Sequence, residues 1–157
     1  MKPISLFSLL IIILFFSCKK EQPKTLDKSQ VVNEIETMFD EYHEAIKQNG
    51  LPAEFDYLDN SDDFFWVPPG YKSTIKYDSI KAILVQNNKS IQSISFEFER
   101  LEIFPLSSKI ANYSGIVKGQ MVDTANVQSN FKIIESGTLI KRTDGWKLLN
   151  GQSRNLD

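Results

Sequence analysis

Apolar residues fall into three textures along this chain. From residue 6 to 16, "LFSLLIIILFF" is apolar except for Ser8. From Ser29 to Gln48 the apolar positions are Val31, Ile35, Met38, Phe39, Tyr42, Ala45 and Ile46, a spacing of threes and fours that predicts one amphipathic helix. Asn49-Gly50 stops that helix and Pro52 follows. "AEFDYLDN" (53–60) reads as a short second helix, and "DDFFWV" (62–67) as a brief strand ended by Pro68-Pro69-Gly70. "YDSIKAILVQNN" (77–88) reads as another amphipathic helix, with Asp78 as its N-cap and Ile80, Ile83 and Leu84 turned inward. After residue 90 the period shortens. Segments 93–104, 109–122, 130–142 and 146–152 are rich in β-branched and aromatic residues, and turn residues ("PLSS", "DTAN", "TDG") join them. Helices first and an antiparallel meander afterwards predict an α+β domain, with helices packed on one face of a curved sheet.

The first texture is too short to span a bilayer, because eleven helical residues rise about 16 Å against a hydrocarbon core of roughly 30 Å. Lys2, the apolar run, the small Ser17 and then Cys18, the only cysteine, resemble a bacterial lipoprotein signal. That resemblance implies cleavage after residue 17 and lipidation of Cys18. It places the protein in a bacterial cell envelope, periplasmic or surface-facing, held on a membrane by its acyl chains. The alternative is an uncleaved signal anchor. Residues 18–28 then form the lipidated cysteine and a charged tether of about 18 Å mean reach, and residues 29–157 the folded domain.

Composition narrows the function. The chain has 157 residues and a net charge of −2, and excising residues 1–17 removes Lys2 and makes it one unit more negative. With no basic stripe, nucleic acid is not an expected partner. A single cysteine allows no internal disulfide. "DNSDD" (59–63) lacks the glycine and glutamate of a calcium loop at its sixth and twelfth positions, where Phe64 and Gly70 stand, so it reads as a solvated turn. No metal or cofactor is called for.

The long first helix, "DDFFWVPPG", a helix, long strands and a closing "DGWKLLNGQS" together resemble the nuclear transport factor 2-like superfamily, in its SnoaL-like and domain-of-unknown-function branches, over residues 29–154. The resemblance implies a cone: a curved antiparallel sheet, the cystatin-like α+β roll, wrapped around the first helix with a pocket at the open end. In members resembling ketosteroid isomerase, a carboxylate just before the Pro-Gly turn shuttles a proton. Pro68 occupies that position here, which removes that mechanism. Where many members close the last strand with a histidine pair, this chain has Asn150 and Gln152, neither of which titrates near neutrality.

His43, the only histidine, lies on the flank of the first helix and reads as a surface or rim residue, with a lone pocket base as the alternative. Glu135 lies in a strand. Facing out it is an ordinary solvated charge; facing in it is the best remaining acid–base candidate, a buried carboxyl with a raised pKa. Tyr42, Trp66, Tyr113, Asn150 and Gln152 are the expected ligand-binding residues, with Tyr42 and Gln152 sharing one cavity near Trp66, while Trp146 and Phe98 are expected in the core. These residues support a non-catalytic, membrane-tethered domain that takes a small apolar or amphipathic ligand. The alternatives are an isomerase, dehydratase or hydrolase working through Glu135 or His43, and a homodimeric interaction module that pairs through its sheet.

Overall fold

The computed structural model describes residues 25–156. The segment expected to be a signal peptide, Cys18 and most of the expected tether lie outside the described residues. Helix α1 spans Lys28–Asn49, and the side chain of Asp27 caps it by accepting from the Gln30 N–H at 3.0 Å. The domain therefore starts slightly earlier than expected, and Leu26 already packs on the core. Gly50, at φ 76°, ends α1 in a backbone conformation that side chains disfavour.

A 3-10 helix follows at Leu51–Asp56 in place of the expected helix 53–60, with Pro52 in its first turn. Strand β1 is only Phe65–Val67, since Phe64 turns its ring fully into the core. Helix α2 is Tyr77–Asn88. Its N-cap is Lys76, without a side-chain bond, and Asp78 sits two positions inside that cap, where its charge still favours the helix N-terminus.

Strands β2 (Ile91–Pro105), β3 (Ile110–Asp123), β4 (Gln128–Arg142) and β5 (Gly145–Leu156) form an antiparallel meander, and β1 adds to β5 in parallel, giving the order β1-β5-β4-β3-β2. The hydrophobic stripe of α1 lies in the hollow of this curved, unclosed sheet. Val31, Ile35, Met38 and Phe39 meet Ala111, Tyr113, Leu139, Trp146 and Leu148. Trp146 is 4% exposed and donates its indole N–H to Glu34 at 2.9 Å. At the other end of α1, Ile46 packs with Leu51 and Ile94.

Two bulges set which residues face the hollow. In β5, Leu148 pairs with Leu139 and Asn150 with Thr138, leaving Leu149 as an extra residue. In β2, Phe98 pairs with Val117 and Arg100 with Ile116, leaving Glu99 extra, and its carboxylate meets Lys118 and Lys132 on the outer face. One extra residue inverts the alternation of everything beyond it.

Candidate functional site

Between α1, the 3-10 helix, α2 and the concave sheet lies a cavity of about 200 Å³. Leu58, Phe64, Ile80, Val117, Ile133 and Leu148 are among the apolar residues of its wall. For comparison, an apolar cavity of roughly 150 Å³ accommodates benzene, so the space suits a molecule of about one ring.

Two carboxyls face this apolar space. Glu135 comes from β4, where Leu139, Gly137, Glu135 and Ile133 follow one face at period two. Glu54 comes from the 3-10 helix. Each is held by a tyrosine: Tyr42 donates to Glu54 Oε2 at 2.9 Å, and Tyr113 donates to Glu135 Oε1 at 3.2 Å. Burial pushes Glu135 up to about 7 against the lowering effect of the Tyr113 hydroxyl. Burial also pushes Glu54 up to about 7, with the charge of Glu135 adding to it and the Tyr42 hydroxyl opposing it. Both tyrosines are raised well above their ordinary value, chiefly by burial, so they remain donors at neutrality.

His43 also lines the cavity. Its ring lies 5.0 Å from Phe98, 5.4 Å from Tyr42 and 6.0 Å from Phe96. Burial lowers it to about 4, with Asp40 opposing, so the imidazole is neutral at pH 7. His43 is half-buried rather than on the open surface, because Phe96 and Phe98 of β2 lie against the flank of α1 that carries it. Its low basicity also makes it a weak proton acceptor near neutrality.

Trp66 stands at the wall, with its indole N–H donating to Ser153 Oγ at 3.2 Å. Gly151 lies directly beneath it, where a Cβ would approach the ring to 2.5 Å. Tyr113 is 2% exposed and reaches the site through its bond to Glu135.

Asn150 and Gln152 are not in this cavity. They pair with Phe65 and Val67 of β1 and share the opposite, outer face with Asn112 and Thr138. Simple alternation from Trp146 and Leu148 carries both residues inward, and the bulge at Leu149 turns them out, bringing Gly151 and Ser153 inward instead. The proposed Tyr42–Gln152 cavity is therefore overturned, and Glu54 is the partner of Tyr42. Pro68 lines the cavity rim and brings no titratable group. Glu54 went unrecognised because a glutamate beside Phe55 in a polar-looking segment carries no signal of burial. The position of Tyr42 at the centre of the helix face was the one clue, since a buried hydroxyl needs an acceptor.

Asp59, in the segment tested for calcium binding, is 4% exposed and is held by Arg142 through bonds of 2.6 and 3.1 Å. That pair ties the loop before β1 to the end of β4.

The fold has counterparts. A nuclear transport factor 2-like superfamily protein from Salmonella enterica superposes with a TM-score of 0.70 at 13% identity, over 82% of this chain and 93% of its own. A candidate scytalone dehydratase from Novosphingobium aromaticivorans gives 0.70 at 18% identity, over 80% and 84%. A hexachlorocyclohexane dehydrochlorinase, LinA type 2, gives 0.65 at 14% identity, over 83% and 88%. Among curated proteins, no sequence matches the chain. The SnoaL-like domain model matches residues 35–153, from the first turns of α1 to the Ser153 that holds Trp66. With the fold shared by nuclear transport factor 2-like structures, the chain belongs to the SnoaL-like domain family.

Proposed function

We propose that the domain takes a small, mostly apolar molecule of about one ring into the cavity and moves a proton on it with Glu54 and Glu135. The observation that carries this reading is a pair of half-buried carboxyls facing one apolar space, both pushed up to about 7 and each oriented by a tyrosine. Near neutrality such a pair favours a single negative charge: one carboxylate to accept a proton and one carboxylic acid to donate. In a dehydration, the carboxylate removes a C–H proton, the C–H electron pair forms the double bond, and the C–O bond breaks. The acid protonates the departing oxygen as water. In a double-bond shift, the acid protonates the activating carbonyl and the base carries the proton between carbons. Both cycles conserve protons. The dehydratase and dehydrochlorinase names among the structural neighbours support the elimination class.

Cyclohexanone in heavy water provides a test without a known substrate, with deuterium entry next to the carbonyl followed by NMR. Glu135→Gln and Glu54→Gln are each expected to slow the exchange by about 10²–10⁴. Exchange no faster than in buffer, or unaffected by both substitutions, would leave only the binding role.

The same reading holds the domain on a membrane through acylated Cys18. Cys18→Ala is expected to abolish incorporation of a labelled fatty acid and release the chain from the membrane fraction. Retention of both label and membrane association in that variant would remove the tether.

A further inference from the structure

We propose that the turn between β2 and β3 is a lipid-docking element that seats the tethered domain on the bilayer. This rests on the reading of Cys18 as the lipid anchor. Among the described residues, Phe104, Leu106 and Ile110 are 52%, 60% and 39% exposed and fall within one hairpin tip. Phe104 and Ile110 lie on the outer face of the sheet, and Leu106 occupies the turn.

Three features commit the tip to lipid. The first is its place. Leu26, at the start of the domain, packs on the cluster that contains Ala111 and Leu139. In the second turn of α1, Glu34 accepts from Lys141 Nζ at 2.6 Å, and the Lys141 N–H donates to the carbonyl of Lys109 in the tip. The tether thus enters at the tip's end of the domain. From Cys18 to Leu26 the chain reaches at most about 28 Å. The other end, with the Asp123–Val127 turn, lies about 43 Å further along the strands. An anchored domain therefore meets the bilayer with the β2–β3 tip leading.

The second feature is backbone satisfaction. The N–H groups of Leu106 and Ser107 donate to the Ile110 carbonyl at 2.9 and 3.0 Å, and those of Lys109 and Ile110 donate to Ser107 Oγ at 3.1 and 3.0 Å. With these four N–H groups paired, the turn can enter the interfacial region at a lower desolvation cost. The third is charge. Lys109 lies in the turn itself, exposed beside Leu106 and Ile110, where its ammonium group can stay at the level of anionic headgroups.

The test uses the full acylated chain in phosphatidylethanolamine–phosphatidylglycerol vesicles that contain nitroxide-bearing lipid. Acylation consumes the Cys18 thiol, so Leu106→Cys offers one site for an environment-sensitive fluorophore, and Val127→Cys gives the matching site at the far end. Quenching at 106 is expected to exceed that at 127 by about threefold. Equal quenching, or stronger quenching at 127, overturns the docking proposal. So does a signal at 106 that depends on protein concentration without vesicles, which would assign the tip to a second copy of the chain. The mass of the N-terminal fragment reports acylation separately. An acylated chain with a silent tip loses only the docking element. An unacylated chain, which takes fluorophore on two thiols, loses the tether and the docking element together.

Discussion

Trp146→Ala is expected to lower the unfolding free energy by about 3–5 kcal/mol, the range for truncating a large buried aromatic. The ring is 4% exposed, in the cluster where β5 meets α1. Its indole N–H also shares Glu34 Oε2 with the Lys141 ammonium, which lies 5.9 Å from the ring centre. Truncation therefore removes packing and one of the two donors that hold a helix carboxylate against the sheet. Trp146→Phe separates the two contributions: it keeps most of the volume and loses the hydrogen bond to a charged acceptor, an effect of about 1.5–3 kcal/mol. Urea unfolding reports both, with an unchanged slope and a shifted midpoint. A midpoint for the alanine variant within error of the parent would show that the closing hairpin carries none of this load.

The second large effect is on how stability depends on pH. Glu54 and Glu135 titrate near 7 in the folded protein and near 4.5 when unfolded. Between those values the folded chain holds protons that the unfolded chain has released, so their stabilising contribution is complete below about pH 4.5 and lost as pH rises to about 7. His43 runs the other way. It titrates near 4 folded and 6.5 unfolded, so stability falls as pH drops across that window. Two carboxyls outweigh one imidazole between pH 4.5 and 6.5. The parent should therefore become less stable as pH rises, by up to about 1.4 kcal/mol per unit. Replacing both carboxyls with the neutral amide, Glu54→Gln with Glu135→Gln, removes two of the three groups and should reverse the slope. Denaturant midpoints at pH 5, 6 and 7 decide it. A parent curve that rises with pH, or a double variant with the parent's slope, would show that the carboxyls are not neutral in the folded cavity.

The two effects belong to different stretches of the same helix. Toward its N-terminus, α1 is fastened to the sheet through Glu34, Lys141 and Trp146. Further along, the same helix supplies Tyr42 and His43 to the cavity. Tyr42 thus sits on a helix held in place elsewhere, which fixes its hydroxyl for the half-buried Glu54.

Much of this arrangement was legible in the residue pattern. The three-and-four spacing from Val31 to Ile46 specified the helix and its buried face, because a helix can bury only the side on which its apolar residues recur. Alternation after residue 90, punctuated by turn residues, specified four long antiparallel strands, and the order of elements specified an α+β roll. Trp146 read correctly as core, and Tyr42 was recognised as a buried hydroxyl in need of a partner. Tertiary structure alone decided what that partner is. Period-two counting places Asn150 and Gln152 beside Trp146 on the inner face, but the extra residue at Leu149 reverses the strand, and a bulge depends on how β5 registers against β4. Glu54 becomes a half-buried acid only because the 3-10 helix folds beneath α1. Glu135 was visible as a strand glutamate, yet its facing inward depends on the sheet curving around the helix. Local pattern determines which elements form and which face each one buries; which distant side chains share a cavity, and how burial then shifts their protons, is settled only when those faces close on one another.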